Sequence, residues 1–360
     1  MKTNHNIKLG VSLYSYQDNY YFKKFDLEGC IAAAAGAGAE GIEVFPDAMM
    51  PEWPYISDSF VDKWNGWMER YAIEPVCVDH FSDRAMWHDK QLTDDEMYER
   101  SVWYIKAAHK LGCHAIRLLH NEHIGLGISP YKLTDAAIAE RLLPVAAQYD
   151  VMMALECHSP TNVADPIHQP YLEAAKRLGL PYVGLQADFS SYEYCISTAD
   201  IIDAGMQGMR ADVLNYVRDA QRDAYFSGRV FDFDEIADKF QALNPTEAEM
   251  KFVLRQSSRV SHNFSSVDAD GGFSAYKTLK EYAPQLVYVH GKFYDLDDDG
   301  QVDNMDYPKI IDALKAGGYK GYICSEFEGN RRMNGVGWVD EIEYVRRHHV
   351  LMRDCLGYNE

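Results

Sequence analysis

The chain alternates short apolar runs with longer stretches of helical periodicity, and this alternation constrains its fold more than any other feature. Eight runs of five or six residues are typical of parallel strands that are covered on both faces. The runs are residues 9–14, 41–45, 75–80, 115–119, 151–156, 183–188, 286–290 and 322–326. Helical patterns follow most of them, as in a (β/α)8 TIM barrel, an α/β fold. A doubly wound open sheet is the alternative, but it would need a reason to stop at fewer strands, and the sequence shows none.

Capping signals fix the ends of two of these helices. Thr93 and Glu96 form a capping box, which predicts a helix that stops near Gly112. Thr134 is predicted to cap the next helix, which runs to about Tyr149.

One connection is much longer than a β/α unit requires. About a hundred residues separate Asp188 from His290, and they contain helical patterns of their own. We therefore predict a TIM barrel built from residues 1–196 and 273–360. Residues 197–272 are predicted to form a helical insertion after strand six, with a role as a lid or a subunit interface. A decoration without a role is the alternative.

Charge and composition exclude several classes of function. The chain has 35 Lys+Arg against 55 Asp+Glu, a formal charge of −20, which disfavours binding to nucleic acid. No GxGxxG or Walker loop follows a strand, so nucleotide binding lacks support. Seven scattered cysteines without a CxxC pair indicate small buried side chains in a reducing compartment. With no signal-peptide pattern and no membrane-spanning run, the expected location is the cytoplasm.

Four potential metal ligands stand at the ends of four consecutive predicted strands. Glu156, Asp188, His290 and Glu326 each close an apolar run, and the carboxyl ends of barrel strands face one mouth. Three carboxylates and one imidazole suit Mn²⁺ or Mg²⁺ better than a structural zinc ion. A carbonyl held at such an ion loses its α-proton more readily. Taken singly, each residue could instead be a helix cap or a solvated loop residue.

Further polar residues are predicted at the same mouth. His158, two residues beyond Glu156, is the first candidate for a general base, with a purely supporting histidine as the alternative. Lys292 could hold a substrate hydroxyl or stabilise an enolate, or it could be a surface lysine. The residues predicted to line the substrate pocket are Glu43, His80, His120 and Asn121.

The acidic segment from Asp295 to Asp306 has oxygen donors at the offsets of an EF-hand loop. Its twelfth position is Asp306 rather than glutamate, and a strand precedes it instead of a helix. We interpret it as an acidic turn before a helix, with calcium binding as the alternative.

At the four predicted ligands the chain resembles the sugar phosphate isomerase/epimerase superfamily of xylose-isomerase-like barrels. The resemblance lies in segments 155–158, 289–292 and 318–326. Within this superfamily, the length and the insertion look like the catalytic large subunits of bacterial C-glycoside deglycosidases. Many epimerases of the superfamily carry a histidine three residues after the aspartate, where this chain has Ser191.

The resemblance implies a two-subunit lyase with a small β-sandwich partner, acting on 3-oxo-glucosides of flavonoids or similar aglycones. Manganese would bind the 3-oxo group, a base would take the C2 proton, and elimination would break the carbon–carbon bond to the aglycone. His158 carries over as the base. The alternative on the same site is a sugar isomerase, epimerase or inosose-type dehydratase acting through a metal-bound enediolate. An abasic-site endonuclease, disfavoured by the charge, and a non-catalytic sugar-binding or partner-holding subunit are more distant alternatives.

Overall fold

Eight parallel strands close into a barrel in sequence order, and β1 pairs with β8 to complete it. The computed structural model describes residues 7–84, 90–120, 134–333 and 335–358. The strands are β1 Ile7–Ser12, β2 Gly41–Val44, β3 Glu74–His80, β4 Ala115–Leu118, β5 Met152–Cys157, β6 Val183–Asp188, β7 Leu286–Phe293 and β8 Gly321–Phe327. This closure confirms the predicted TIM barrel and excludes the open sheet.

Helices surround the barrel, and most connect one strand to the next. They are α1 Gln17–Tyr21, α2 Leu27–Gly36, α3 Pro46–Met49, α4 Asp58–Tyr71, α5 Asp94–Leu111, α6 Ala136–Tyr149, α7 Gln169–Leu178, α8 Thr198–Met206, α9 Ala211–Phe226, α10 Ala237–Ala242, α11 Glu247–Asn263, α12 Ser274–Tyr282, α13 Tyr307–Ala316, α14 Asn330–Met333 and α15 Glu341–Leu356. Among the described residues, no helix combines the length and apolarity that crossing a membrane requires.

Local signals account for several helix ends. Thr93 and Glu96 form the predicted capping box of α5, and Gly112 ends that helix with φ of 77°. The predicted cap of α6 is wrong by one residue, because Asp135 rather than Thr134 accepts the hydrogen bond from Ile138 N. The first strand also begins earlier than predicted, at Ile7.

The long connection between β6 and β7 contains α8 to α12. Buried apolar side chains between residues 196 and 260 form a cluster separate from the main core. Helix α12 packs beside α13 in the outer layer of the barrel. All seven cysteines are free, and six of them are buried.

Candidate metal centre and active site

The structure brings the four predicted ligands together inside the barrel. Glu156, Asp188, His290 and Glu326 are buried, and one donor atom from each lies within 4.8 Å of the others. Strand register explains why these residues are close together, because Asp188 of β6 lies beside His290 of β7. Among the described residues this is the only group of three or more histidine, cysteine or acidic side chains with metal-site spacing.

His290 contacts carboxylates through both ring nitrogens. Nε2 lies 2.7 Å from Glu43 Oε2, on the side away from the four-residue group. Nδ1 lies 3.1 Å from Glu156 Oε1 and 2.8 Å from Glu326 Oε2. A histidine ligand commonly donates its second N–H to a carboxylate, which turns the other nitrogen toward the metal. Here Glu43 fixes Nδ1 as the nitrogen that faces the group.

The donor set fits a divalent cation. Oδ2 of Asp188 is buried, and among the described residues no donor forms a hydrogen bond to it. Buried carboxylates without compensating charge are strongly unfavourable. Five buried carboxylates share the barrel interior with two fixed cations. The carboxylates are Glu43, Asp79, Glu156, Asp188 and Glu326, and the cations are Arg117 and Lys292. With His290 neutral, as a metal ligand must be, a cation among the four donors would offset this excess negative charge.

Arg117, which the sequence analysis missed, supports the group from the strand before it. Its Nε lies 2.7 Å from Asp79 Oδ1, and its Nη1 lies 2.8 Å from Glu156 Oε2. All three side chains are almost fully buried. A signal was present in the sequence, because an arginine within an apolar strand requires a buried acidic partner.

Neighbouring charges decide the ionisation of the carboxylates. Burial raises the pKa of Glu156, but Arg117 and His290 outweigh it and hold that pKa well below its usual value. Burial opposes ionisation of Glu326 as well, yet His290 and Lys292 lower its pKa. Both carboxylates are therefore charged and available as ligands at neutral pH.

Lys292 is buried and is not the surface lysine that the sequence left open. Its Nζ lies 2.8 Å from Glu326 Oε2, 3.1 Å from Glu328 Oε1 and 3.5 Å from Asp188 Oδ2. Burial lowers its pKa, but the surrounding carboxylates raise it further and keep the ammonium charged. Lys292 thus adds a fixed positive charge beside the donor group.

His158 follows β5 directly and is half-buried. Its Nδ1 lies 2.8 Å from the carbonyl oxygen of Ser159. Since a carbonyl only accepts, Nδ1 carries the proton in the neutral ring and the basic lone pair is on Nε2. In this tautomer Nε2 is the nitrogen that could accept a proton.

The four predicted pocket residues have different surroundings. Glu43 lies behind His290, and its Oε2 also accepts a hydrogen bond of 2.9 Å from Tyr288. His120 is buried, with Nε2 2.8 Å from Nδ1 of His168. Asn121 lies outside the described residues.

His80 faces the helical layer rather than the mouth. Its Nε2 lies 2.8 Å from Ser101 Oγ, and its ring stacks on Tyr104 with centroids 3.8 Å apart. Residues alternate sides along a strand, so Asp79 takes the interior position and His80 the outer one. The expectation that His80 lines a substrate pocket is corrected on this ground.

The Asp295–Asp306 segment forms a tight antiparallel turn, with Leu296 bridging to Val302. Three of its carboxylates have separate partners: Asp295 accepts a hydrogen bond from Tyr344, Asp303 from the backbone of Thr198, and Asp306 from the backbone of Lys309 at the start of α13. These contacts agree with an acidic turn before a helix.

Comparisons with known proteins agree with this geometry. A family profile described as xylose isomerase-like TIM barrel matches residues 31–245. A C-glycoside deglycosidase alpha subunit from Arthrobacter globiformis is 29% identical over 352 residues, covering 97% of this chain and 92% of that protein. A 3'-dehydrocarminate deglycosidase alpha subunit from Microbacterium sp. is 27% identical over 364 residues, covering 97% and 95%. The solved structure of the IOLI protein, with a bound zinc atom, shares the fold with a TM-score of 0.52 at 12% identity, covering 98% of each chain.

Proposed function

Because the chain belongs to the xylose isomerase-like TIM-barrel family, we propose that it is the metal-dependent catalytic subunit of a C-glycoside deglycosidase. The proposed reaction is a carbon–carbon lyase step that separates the aglycone from a 3-oxo-glucoside. One observation carries the proposal: four buried donor residues lie together, one of them an aspartate whose Oδ2 has no hydrogen bond, in a chain whose relatives are named deglycosidase alpha subunits.

The residues that would hold the metal are Glu156, Asp188, Glu326 and His290 through Nδ1. An oxygen-rich, negatively charged set favours Mn²⁺ or Mg²⁺. When bound, such an ion supplies Lewis acidity toward the ketone oxygen of the sugar. We propose that Glu43 orients His290 in this set, since its Oε2 accepts from Tyr288 and His290.

His158 is proposed to take the proton from C2 of the sugar through Nε2. A ketone at C3 makes that proton acidic, and the electron pair left at C2 forms a double bond to C1. The bond from C1 to the aglycone carbon breaks, and the aglycone carbon takes up a proton. Lys292 is proposed to stabilise the negative charge that develops on the sugar oxygen, because its ammonium lies beside the donor group.

An isomerase, epimerase or inosose-type dehydratase would use the same donors, but Ser191 disfavours the epimerase. It stands where many epimerases of the superfamily have a histidine. Its Oγ lies 2.9 Å from the carbonyl oxygen of Cys157 and 2.6 Å from that of Thr161, and these two oxygens share its one hydroxyl proton. Ser191 therefore holds the loop after β5 and does not supply a second base.

We propose that residues 197–272 form a subdomain that covers the mouth and contributes to a subunit interface. Four exposed apolar side chains, here termed the apolar ridge, extend from this subdomain across neighbouring loops: Phe22, Met206, Val336 and Trp338. The rings of Phe22 and Trp338 are 6.0 Å apart, and Gly335 lies against the Met206 thioether. Exposed apolar groups of this kind mark contact surfaces. The proposed partner is a small β-sandwich subunit, since the relatives are named alpha subunits.

Aglycone release is the direct test. The purified complex of this chain with its small subunit, loaded with Mn²⁺, is incubated with a 3-oxo C-glucoside, and free aglycone is measured by chromatography. Release that stops after chelation and returns with Mn²⁺ is expected. If no aglycone appears while a free ketose is epimerised or dehydrated, the deglycosidase proposal is wrong and the isomerase-type alternative replaces it.

A further inference from the structure

Helix α11 of the inserted segment places one arginine against the loop that follows β5. Arg259 Nε lies 3.1 Å from Ser159 Oγ, across 100 residues of sequence. Its Nη2 lies 3.0 Å from Glu193 Oε2, and its Nη1 donates to Gln256 Oε1 at 3.2 Å. Every nitrogen of the guanidinium is thus engaged, and the side chain joins the insertion to two segments of the barrel.

Ser159 is the residue through which this contact reaches the candidate base. Its carbonyl oxygen lies 2.8 Å from Nδ1 of His158. Its backbone N–H donates to Ser190 Oγ at 3.2 Å, and the backbone N–H of Ser190 donates to Asp188 Oδ1 at 2.7 Å. A displacement of Ser159 would therefore change both the ring of His158 and the support of Asp188.

We propose that Arg259 is a positioning residue through which the insertion holds His158 in its working orientation. This inference rests on the proposed function, since it takes His158 as the base. The insertion is then part of the active-site machinery, although Arg259 itself does not contact the reacting atoms. Such support from a residue outside the site is effective because small misplacements of a catalytic group slow a reaction strongly.

The geometry of the contact requires a guanidinium. Arginine presents several donors in a rigid plane, which allows Arg259 to contact Ser159 and Glu193 at once. A lysine would keep the charge beside Glu193 but would lack the fixed second donor toward Ser159. The two substitutions Arg259→Lys and Arg259→Gln therefore separate the charge from the geometry.

The test compares three variants and a control in the complete enzyme. The variants are Arg259→Lys, Arg259→Gln and Ser159→Ala, and the control is Arg255→Gln, an exposed arginine one turn earlier on α11. We expect each of the three to lower kcat about tenfold or more with KM and metal content within about twofold. The double variant Arg259→Gln/Ser159→Ala should fall no further than the lower of its two single variants. The control should match the wild type.

Hydrogen exchange supplies a readout that does not depend on turnover. In Arg259→Gln the peptide covering residues 157–162 should exchange at least several times faster, while peptides of the distant β1 and β2 strands stay unchanged. Unchanged exchange in this peptide overturns the proposal. So do full restoration of kcat by Arg259→Lys and additive losses in the double variant. If the wild type itself releases no aglycone, the proposed function fails, and the exchange result alone then decides whether Arg259 holds this loop.

Discussion

The imidazole of His290 is held between Glu43 on one side and the carboxylates of Glu156 and Glu326 on the other. Removing a neighbour from either side should change a different property. On the inner side a substitution removes a metal donor. On the outer side it removes the acceptor that orients the ring, and the donor itself remains.

The first prediction concerns the donors. Glu156→Gln and His290→Ala should each purify without bound divalent ion and without detectable turnover, because each loses a donor from a set of four. Metal content by plasma mass spectrometry is the measurement. The matched control is Gln186→Met, which changes a buried side chain of β6 that is outside the donor set. Stoichiometric metal in either donor variant would mean that the ligands are misassigned.

The second prediction concerns Glu43. Glu43→Gln keeps the size of the side chain but replaces the charged carboxylate that accepts the hydrogen bond from Nε2 of His290. Loss of such a supporting carboxylate typically weakens metal affinity about 10- to 100-fold. Titration with Mn²⁺ should therefore show weaker binding that still saturates. Affinity equal to that of the wild type would contradict an orienting role.

The sequence allows the four donors to be predicted because each is a charged residue that closes an apolar run. The partners of these donors are harder to predict. Glu43 reaches His290 across the barrel from 247 residues away, and the register of β2 shifts between Ile42 and Glu43. No pattern in the sequence specifies that shift. Arg117 was detectable in principle as a cation within a strand, but its partners Asp79 and Glu156 follow only from the closed barrel.

At the scale of elements, helix α15 packs against both the last strand, β8, and the first strand, β1. His349 on this helix is buried, and its Nε2–H donates to the carbonyl oxygen of Gly10 in β1 at 3.1 Å. Burial lowers the pKa of His349 from 6.5 to about 4. The folded chain therefore holds this imidazole neutral in a range where the unfolded chain protonates it.

The third prediction follows from this difference. The contribution of His349 to stability is present above pH 6.5 and is lost progressively as the pH falls from 6.5 toward 4. Between pH 7 and pH 5 the loss amounts to about 2 kcal/mol. Denaturant unfolding at both pH values should show a smaller loss in His349→Gln than in the wild type. The exposed His114→Gln serves as control and should keep the wild-type difference; equal differences in all three proteins would contradict the assignment.

The elements themselves were largely predictable from the sequence. Buried parallel strands are apolar on both faces, so the eight runs stand out, and the structure confirms each within a few residues. Helix starts were less certain where two capping residues adjoin, as at Thr134 and Asp135. The arrangement of α8 to α11 was not predictable, because amphipathic helices without strands give no register that fixes their packing.

At the scale of the whole molecule, the closed barrel concentrates negative charge in its interior, and a cation that binds only the folded chain should stabilise it. The fourth prediction is that Mn²⁺ at about one hundred times its Kd raises Tm by roughly 4 °C over the chelated protein. Differential scanning calorimetry is the measurement. Glu156→Gln should show no such rise. A wild-type Tm that is the same with Mn²⁺ and with the chelator would argue against a metal in this group.

The fifth prediction concerns the apolar ridge. The double variant Phe22→Ser/Trp338→Ala should lower the affinity for the small subunit at least tenfold, because these two exposed, neighbouring rings belong to the ridge that we propose as part of the interface. Size-exclusion chromatography with light scattering, and calorimetric titration, measure the complex. Leu178→Ser, an exposed apolar residue at the end of α7, is the control and should bind normally. Unchanged affinity in the double variant would remove the ridge from the interface.

The buried set of Asp79, Arg117 and Glu156 has a consequence for how this chain can diverge. Replacing Arg117 alone leaves the carboxylates of Asp79 and Glu156 in the interior without the guanidinium between them. Replacing Asp79 alone leaves the guanidinium paired with Glu156, which is proposed to bind the metal. Each single step passes through a poorly folded or poorly loaded protein, so drift at one position is blocked unless another changes with it. Related sequences are therefore expected to keep these three residues or to exchange them together, as a covarying unit inherited with the barrel.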